Sequence, residues 1–127
     1  MFTHVMLGAN DIDASKAFYD ATLGALGAKP GRVDPKGRVL YIHGGAMLLL
    51  GKPIDGQPAC HANGGTIGFA AASPEDADAW HAAGIANGGT AIEDAPGIRD
   101  GGFGKLYLAY LRDPAGNKVC ALHRVAE

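Results

Sequence analysis

The stretch VMLGANDIDASKAFYDATLGALG, residues 5–27, decides the fold because it contains a strand, a cap and a helix in succession. Its first apolar residues predict a short strand, and Asn10-Asp11 supplies the cap of the helix that follows. Phe18 is the predicted core anchor of that helix, and Gly27 closes it. The stretch therefore predicts one strand–helix unit of an α+β domain.

Residues 66–89, TIGFAAASPEDADAWHAAGIANGG, repeat this unit later in the chain. A cap, an aromatic anchor and a terminal glycine all recur at an offset of 62 residues, as Asp11 and Ser73, Phe18 and Trp80, and Gly27 and Gly89. Self-similarity at a long fixed period is typical of a duplicated unit that cannot bury its apolar face alone. We predict two βαβββ modules, at about residues 1–52 and 65–127, within a single domain of residues 1–127.

Hydrophobic patterns and turn signals predict eight strands and two helices. The predicted strands are residues 2–9, 29–33, 38–43, 46–50, 66–72, 90–94, 105–112 and 118–124. Proline and glycine mark residues 52–65 as a linker and residues 96–104 as a flexible loop. Helical spacing is shown in the first helix by Ala14, Ala17, Phe18, Ala21 and Leu26. The predicted buried stripe of the second helix consists of Ala77, Trp80, His81, Gly84 and Ile85.

The composition is that of one globular domain, since the 127 residues are 47% hydrophobic and 19% charged. The formal net charge of -2 and the scattered lysines and arginines argue against a nucleic-acid partner. No apolar run approaches the ~20 residues of a membrane span, and the N-terminus shows no signal-peptide pattern. Cys60 and Cys120 make no disulfide framework. We therefore expect a cytoplasmic protein without nucleic-acid or membrane partners.

Three segments together, DIDASKAFYDATLG, TIGFAAASPEDADAW and RDPAGNKVCAL, resemble the glyoxalase, bleomycin-resistance and extradiol dioxygenase superfamily. Its members are also called vicinal oxygen chelate proteins. The FY pair on the first helix and the DPxGN turn before the last strand carry the resemblance, which covers essentially the whole chain. The resemblance implies two βαβββ modules that form a cupped, mixed but mostly antiparallel sheet around a cavity. It also implies a homodimer, because many members are dimers.

Catalytic members of that superfamily hold one divalent metal in the cup, with ligands from the first, fourth, fifth and last strands. The resemblance places these positions on His4, on Leu48 or its neighbour, on Thr66 and on Cys120. His4 matches the usual ligand type, whereas a catalytic metal needs about three protein ligands and an open position. We therefore expect a site without a metal. The alternative is zinc, nickel, iron or manganese bound through His4.

His4 and Cys120 have both a structural and a catalytic interpretation. His4 is either a hydrogen-bonded histidine of the core or cavity, or a ligand or base. Cys120 is either a small buried hydrophobic residue or a nucleophile activated by His4 across the cup. A rearranged metal site is a further alternative, because His43, His61 and His123 are predicted near the cup or on the linker.

The remaining candidates are predicted to bind the substrate or ligand, namely Thr66, Tyr107, Tyr110 and Arg112. The two tyrosines can line the cavity and offer hydroxyl groups, or they can serve only in packing. Arg112, with Arg99 and Lys118 nearby, either meets an anionic ligand or is simply solvated.

These features favour a superfamily member that binds a small molecule in the cup, with its status as an enzyme open. One alternative is a metal-dependent lyase or dioxygenase that acts on a substrate with vicinal oxygens, which the metal would polarise. The other is a metal-independent enzyme that uses His4 and Cys120. All three require His4, Thr66 and Cys120 to face one shared interior.

Overall fold

The computed structural model describes residues 1–102 and 104–126, which form nine strands and two helices. The first module consists of β1 (Val5–Gly8), α1 (Ile12–Ala25), β2 (Arg32–Val33), β3 (Val39–His43) and β4 (Ala46–Gly51). The second consists of β5 (Ile67–Ala70), α2 (Pro74–Ala86), β6 (Thr90–Ala91), β7 (Gly97–Asp100), β8 (Lys105–Arg112) and β9 (Lys118–Arg124). No helix in the described ranges is both long and apolar enough to cross a membrane.

The strands form two hydrogen-bonded sheets, one in each module. Their orders are β1-β4-β3-β2 and β5-β9-β8-β6, and β7 pairs with the remaining part of the β8 edge. β1 is parallel to β4 and β5 is parallel to β9, while the other pairs are antiparallel. The predicted α+β class with mixed, mostly antiparallel pairing is therefore confirmed.

The duplication is visible in the geometry of the two strand–helix units. β1 and β5 have the same length and occupy positions that match at the predicted offset. Asp11 accepts a hydrogen bond of 3.0 Å from the amide of Ala14, and Ser73 accepts one of 3.1 Å from the amide of Asp76. Both predicted caps are confirmed, because these bonds satisfy amides that have no partner within the helix.

The predicted loop at residues 96–104 is wrong in its first half, where β7 forms a hairpin with β8. Gly102 and Gly104 adopt positive φ angles of 87° and 90°, so the glycines serve the turn and leave residues 97–100 free to pair. The predicted strand at residues 90–94 is shortened to two residues. Glu93 adopts a φ of 58°, which cannot continue a strand.

Phe18 and Trp80 are fully buried, as predicted for the two core anchors. Leu26 packs against the core as well, whereas Ala17 is exposed and Ala14 and Ala21 are half-buried. The other buried residues of α1 are Ser15, Tyr19, Thr22 and Leu23, which the sequence pattern did not indicate. In α2 the predicted Ile85 is 46% exposed. The two helices pack against each other, and Gly84 of α2 lies close to both Phe18 and Thr22 of α1 at that contact.

The turn at residues 113–117 ties the second module to the first. Asp113 is buried, and its carboxylate accepts hydrogen bonds from the amides of Ala115 and Asn117 and from the hydroxyl of Tyr19. The Asn117 side chain donates 3.0 Å to the carbonyl of Gly8 at the end of β1. The FY and DPxGN motifs therefore meet in the folded chain.

Candidate functional site

Each sheet has a helix-facing side and an open side, because side chains alternate along a strand. In the first sheet Val5 packs on the core, which leaves its neighbour Met6 on the open side. In the second sheet Ala121 is part of the core, so Cys120 and its cross-strand partner Tyr110 lie on the open side.

A cavity of about 440 Å³ lies where the two modules meet, and both contribute to its walls. Residues 2–5 at the start of the chain and residues 67–70 of β5 form two of its walls. The others come from the end of α1 and from the β3–β4 hairpin. Most of the lining side chains are apolar, and the polar ones are few, as in the binding sites of small molecules.

His4 is exposed, precedes the first residue of β1 and lines this cavity. Its Nδ1 shares a hydrogen bond of 2.9 Å with the hydroxyl of Thr3, another cavity residue. In the part of the chain that the structure describes, Nε2 has no hydrogen-bond partner, so it is available to a ligand. His43 also lines the cavity and is exposed.

Tyr41 contributes a buried ring to the cavity wall, while its hydroxyl is already engaged. The hydroxyl lies 2.7 Å from the carboxylate of Asp20 and 3.2 Å from the carbonyl of Lys16. Burial, followed by the nearby Asp20 carboxylate, raises the pKa of Tyr41 well above its usual value. The residue therefore stays neutral and presents an aromatic surface.

Cys120 is buried on the open side of the second sheet and does not belong to the cavity lining. A Cβ placed on Gly68, its partner on β5, would lie 3.3 Å from the Cys120 sulfur. Burial raises the pKa of the Cys120 thiol to about 11, although the ammonium of Lys118 opposes that shift. Among the hydrogen bonds of the described residues, none joins Cys120 to His4. The catalytic role of the pair stays a prediction.

The four residues predicted to bind substrate lie in different surroundings. Thr66 is exposed just before β5, and Tyr107 donates 2.6 Å to Asp78 of α2 on the helix-facing side. Tyr110 lies on the open side with Arg112, whose guanidinium donates 2.7 Å to the carbonyl of Gly116. None of the four is a cavity wall residue, and their ligand contacts stay predictions.

A metal would require several ligands in one place. Within residues 1–102 and 104–126, no group of three or more histidine, cysteine, aspartate or glutamate side chains is positioned to hold one. Leu48 faces the core, and His123 lies 3.0 Å from the carbonyl of Ala71 through its Nδ1. His4 as a metal ligand, and the expectation of a metal-free site, both stay predictions.

The sequence prediction missed the cavity walls built by Leu26, Ala28 and Tyr41. The alternation in residues 39–43 contained part of the signal, since it places Tyr41 and His43 on one side of β3. The position of the α1 end beside β5 depends on how the helices pack. No local pattern encodes that arrangement.

The model of the Glyoxalase/Bleomycin resistance protein/Dioxygenase superfamily matches residues 1–121. A solved glyoxalase/bleomycin resistance protein from Albidiferax ferrireducens is 61% identical, with a TM-score of 0.94 over 98% of this chain and 99% of that one. A solved lactoylglutathione lyase from Agrobacterium tumefaciens is 27% identical, with a TM-score of 0.65 over 96% of this chain and 92% of that one. No curated protein matches the chain.

A third solved structure shares the fold at lower identity. It is a glyoxalase/bleomycin resistance protein/dioxygenase family enzyme from Burkholderia phytofirmans, with 20% identity and a TM-score of 0.75. The alignment covers 97% of this chain and 98% of that one.

Proposed function

Because the chain belongs to the glyoxalase, bleomycin resistance protein and dioxygenase superfamily, we propose that it binds a small molecule in the cavity between its two modules. The observation that carries the proposal is a cavity of about 440 Å³ with walls from both modules. That volume lies within the roughly 300–1,000 Å³ of small-molecule sites. The lining favours a mainly apolar ligand with a polar group directed at His4.

The test uses the neutral fluorescent probe N-phenylnaphthylamine, which enters apolar cavities. Ala70 is an exposed residue of β5 on the cavity wall, so Ala70→Trp should fill part of the volume. Ala91→Trp is the matched control, because Ala91 is an exposed strand residue outside the lining. We expect Ala70→Trp to weaken probe binding by about tenfold or more, which equals about 1.4 kcal/mol, and Ala91→Trp to leave it unchanged. Equal affinity in both variants, or no binding to the wild type, would refute the proposal.

A metal-dependent lyase is the second candidate, favoured by the similarity to the lyase from Agrobacterium tumefaciens. His4 would be the first ligand, and the metal would supply Lewis-acid polarisation of vicinal oxygens. Metal analysis of purified protein tests this candidate. Stoichiometric zinc, nickel, iron or manganese that is lost in His4→Ala and kept in His43→Ala would support it. Equal metal content in both variants would count against His4 as a ligand.

A homodimer and a cytoplasmic location belong to the same proposal. Ile42 and Met6 lie on the open side of the first sheet and are 57% and 46% exposed, which favours a partner surface there. Cys60 and Cys120 are both free thiols, as is usual in a reducing compartment.

A further inference from the structure

All five arginines of the chain lie on the open sides of the two sheets, away from the helices. Strand register places four of them there, namely Arg32, Arg99, Arg112 and Arg124. The fifth is Arg38, whose aliphatic stem lies over Gly51 beside Met6. Acidic residues, in contrast, fill the first turns of both helices. Carboxylates are also present on the open sides, where Asp34 pairs with Arg38 and Glu93 pairs with Lys118, so the arginines there are only partly compensated.

The positive charge is concentrated around Tyr110 on the second sheet. The Lys118 ammonium lies 5.0 Å from the centre of the Tyr110 ring, and the central carbon of the Arg99 guanidinium lies 6.0 Å from it. Both distances are within the range of cation–π attraction. Arg112 is the cross-strand partner of Lys118 and shares its side of the sheet. We call Arg99, Tyr110, Arg112 and Lys118 the Tyr110 cluster.

Neutral carbonyl groups hold the two arginines of this cluster in place. The Arg99 guanidinium donates 2.9–3.0 Å to the carbonyls of Asp94, Ala95 and Gly97, and 3.4 Å to that of Leu108. Arg112 donates to the carbonyl of Gly116. These bonds order both guanidinium groups, and within residues 1–102 and 104–126 neither group forms an ion pair with a carboxylate. An ordered, uncompensated cation attracts an anion at low entropic cost.

Glu93 supplies the carboxylate that pairs with the cluster, through an ion pair with Lys118. Its backbone adopts a φ of 58°, a left-handed conformation that is unfavourable for a residue with a side chain. The side chain of Lys118 is 29% exposed and that of Glu93 is 44% exposed, so solvent screens their attraction. Because exposed ion pairs contribute little stability, the Glu93 side chain can move away from Lys118 at low energetic cost and leave the ammonium available to another anion.

We propose that the Tyr110 cluster binds a small organic carboxylate, and that Glu93 occupies the anion position when this ligand is absent. Lys118 and Arg112 supply charge and hydrogen-bond donors, and the Tyr110 hydroxyl supplies a further donor. Burial is the largest of the influences that raise the pKa of Tyr110, so the hydroxyl keeps its proton at neutral pH. No cluster residue lines the cavity between the modules, so the proposal goes beyond the function proposed above.

The experiment is a titration with benzoate at low ionic strength, followed through the backbone amide resonances of the full chain by NMR. Lys118→Gln removes the charge that pairs with the anion. Glu93→Gln removes the internal competitor with little change in shape. Lys105→Gln is the matched control, because Lys105 is a lysine of the same sheet that lies on the helix-facing side of β8.

We expect saturable shifts at Tyr110 and Lys118 in the wild type. Relative to the wild type, the Kd should rise about tenfold in Lys118→Gln, fall several-fold in Glu93→Gln and stay unchanged in Lys105→Gln. Added sodium chloride should weaken binding. Equal affinity in Lys118→Gln and Lys105→Gln, or no saturable binding to Glu93→Gln, would overturn the proposal. Tighter binding of inorganic phosphate than of benzoate would overturn the assignment to a carboxylate. The cavity variant Ala70→Trp should bind benzoate as the wild type does, which separates this site from the cavity.

Discussion

The hydroxyl of Tyr19 donates a hydrogen bond of 2.7 Å to Oδ2 of Asp113, and this bond connects α1 to the turn between β8 and β9. Both residues are buried, and Asn117 extends the connection to the carbonyl of Gly8 on β1. The two motifs that identify the family are therefore one structural link between the modules. Their presence establishes the fold without indicating the ligand.

Replacement of Tyr19 by phenylalanine should destabilise the protein by about 1–3 kcal/mol, because the buried Asp113 carboxylate loses a donor that nothing replaces. Urea unfolding followed by circular dichroism measures the change. Tyr107→Phe is the matched control, since the Tyr107 hydroxyl bonds Asp78 in an exposed position. Its removal should cost less than about 1 kcal/mol. Equal losses in the two variants would show that the Tyr19–Asp113 bond is no stronger than a surface bond.

Replacement by alanine should change the stability of the protein in opposite directions at the two helical glycines Gly84 and Gly24. A Cβ at Gly84 would overlap Cδ1 of Leu111 and lie 3.1 Å from the Phe18 ring, so Gly84→Ala should destabilise by about 1–3 kcal/mol despite its better helix propensity. A Cβ at Gly24 meets nothing within 4 Å, so Gly24→Ala should stabilise by about 0.5–1 kcal/mol. Thermal unfolding of both variants measures the two changes in stability. Stabilisation by Gly84→Ala would mean that Leu111 and Phe18 can move to accommodate the added methyl group.

Local signals predicted much of the fold, and tertiary contacts determined what the sequence did not reveal. The caps at Asp11 and Ser73 were predictable because a side chain and an amide three residues away suffice to form them. The buried side of α1 was not, because it includes the polar residues Ser15 and Thr22, and Thr22 is packed against Gly84 of α2. The sequence also failed to reveal β7, because the glycines that form the turn after it are equally typical of a flexible loop.

The candidate site was likewise predictable only where local sequence patterns determine it. The sequence singled out His4, which lines the cavity, and Cys120, which lies elsewhere on the open side. Strand alternation places Tyr107 and Tyr110 on opposite sides of the second sheet, although both were predicted to line the cavity. It cannot indicate which sides of two separate sheets enclose a common volume. Glu93 carried no sequence signal, because its left-handed backbone depends on the turn in which it lies.

Introduction of a single charged side chain on the open side of the first sheet should dissociate the proposed dimer into monomers. Ile42→Lys places an ammonium group at an exposed apolar position, and burying that charge in an interface would cost several kcal/mol. Ile85→Lys is the control, because Ile85 is an exposed isoleucine on α2. Size-exclusion chromatography with light scattering should show a dimer for the wild type and Ile85→Lys and a monomer for Ile42→Lys. A dimer in all three proteins would exclude the open side of the first sheet as the interface.

The two thiols should differ strongly in reactivity, and the difference tests the metal-independent enzyme. Cys60 is exposed, whereas Cys120 is buried with a pKa of about 11. At pH 7 that pKa leaves roughly one Cys120 thiol in ten thousand as thiolate. A mild disulfide reagent should therefore modify Cys60 rapidly and Cys120 slowly, and Cys60→Ser should remove the fast phase. Cys120 should react faster as the pH approaches 11, with the same rate in His4→Ala. Rapid modification of Cys120 at pH 7 that is lost in His4→Ala would instead support nucleophilic chemistry by this pair, because it would show that the His4 imidazole takes up the proton of the thiol.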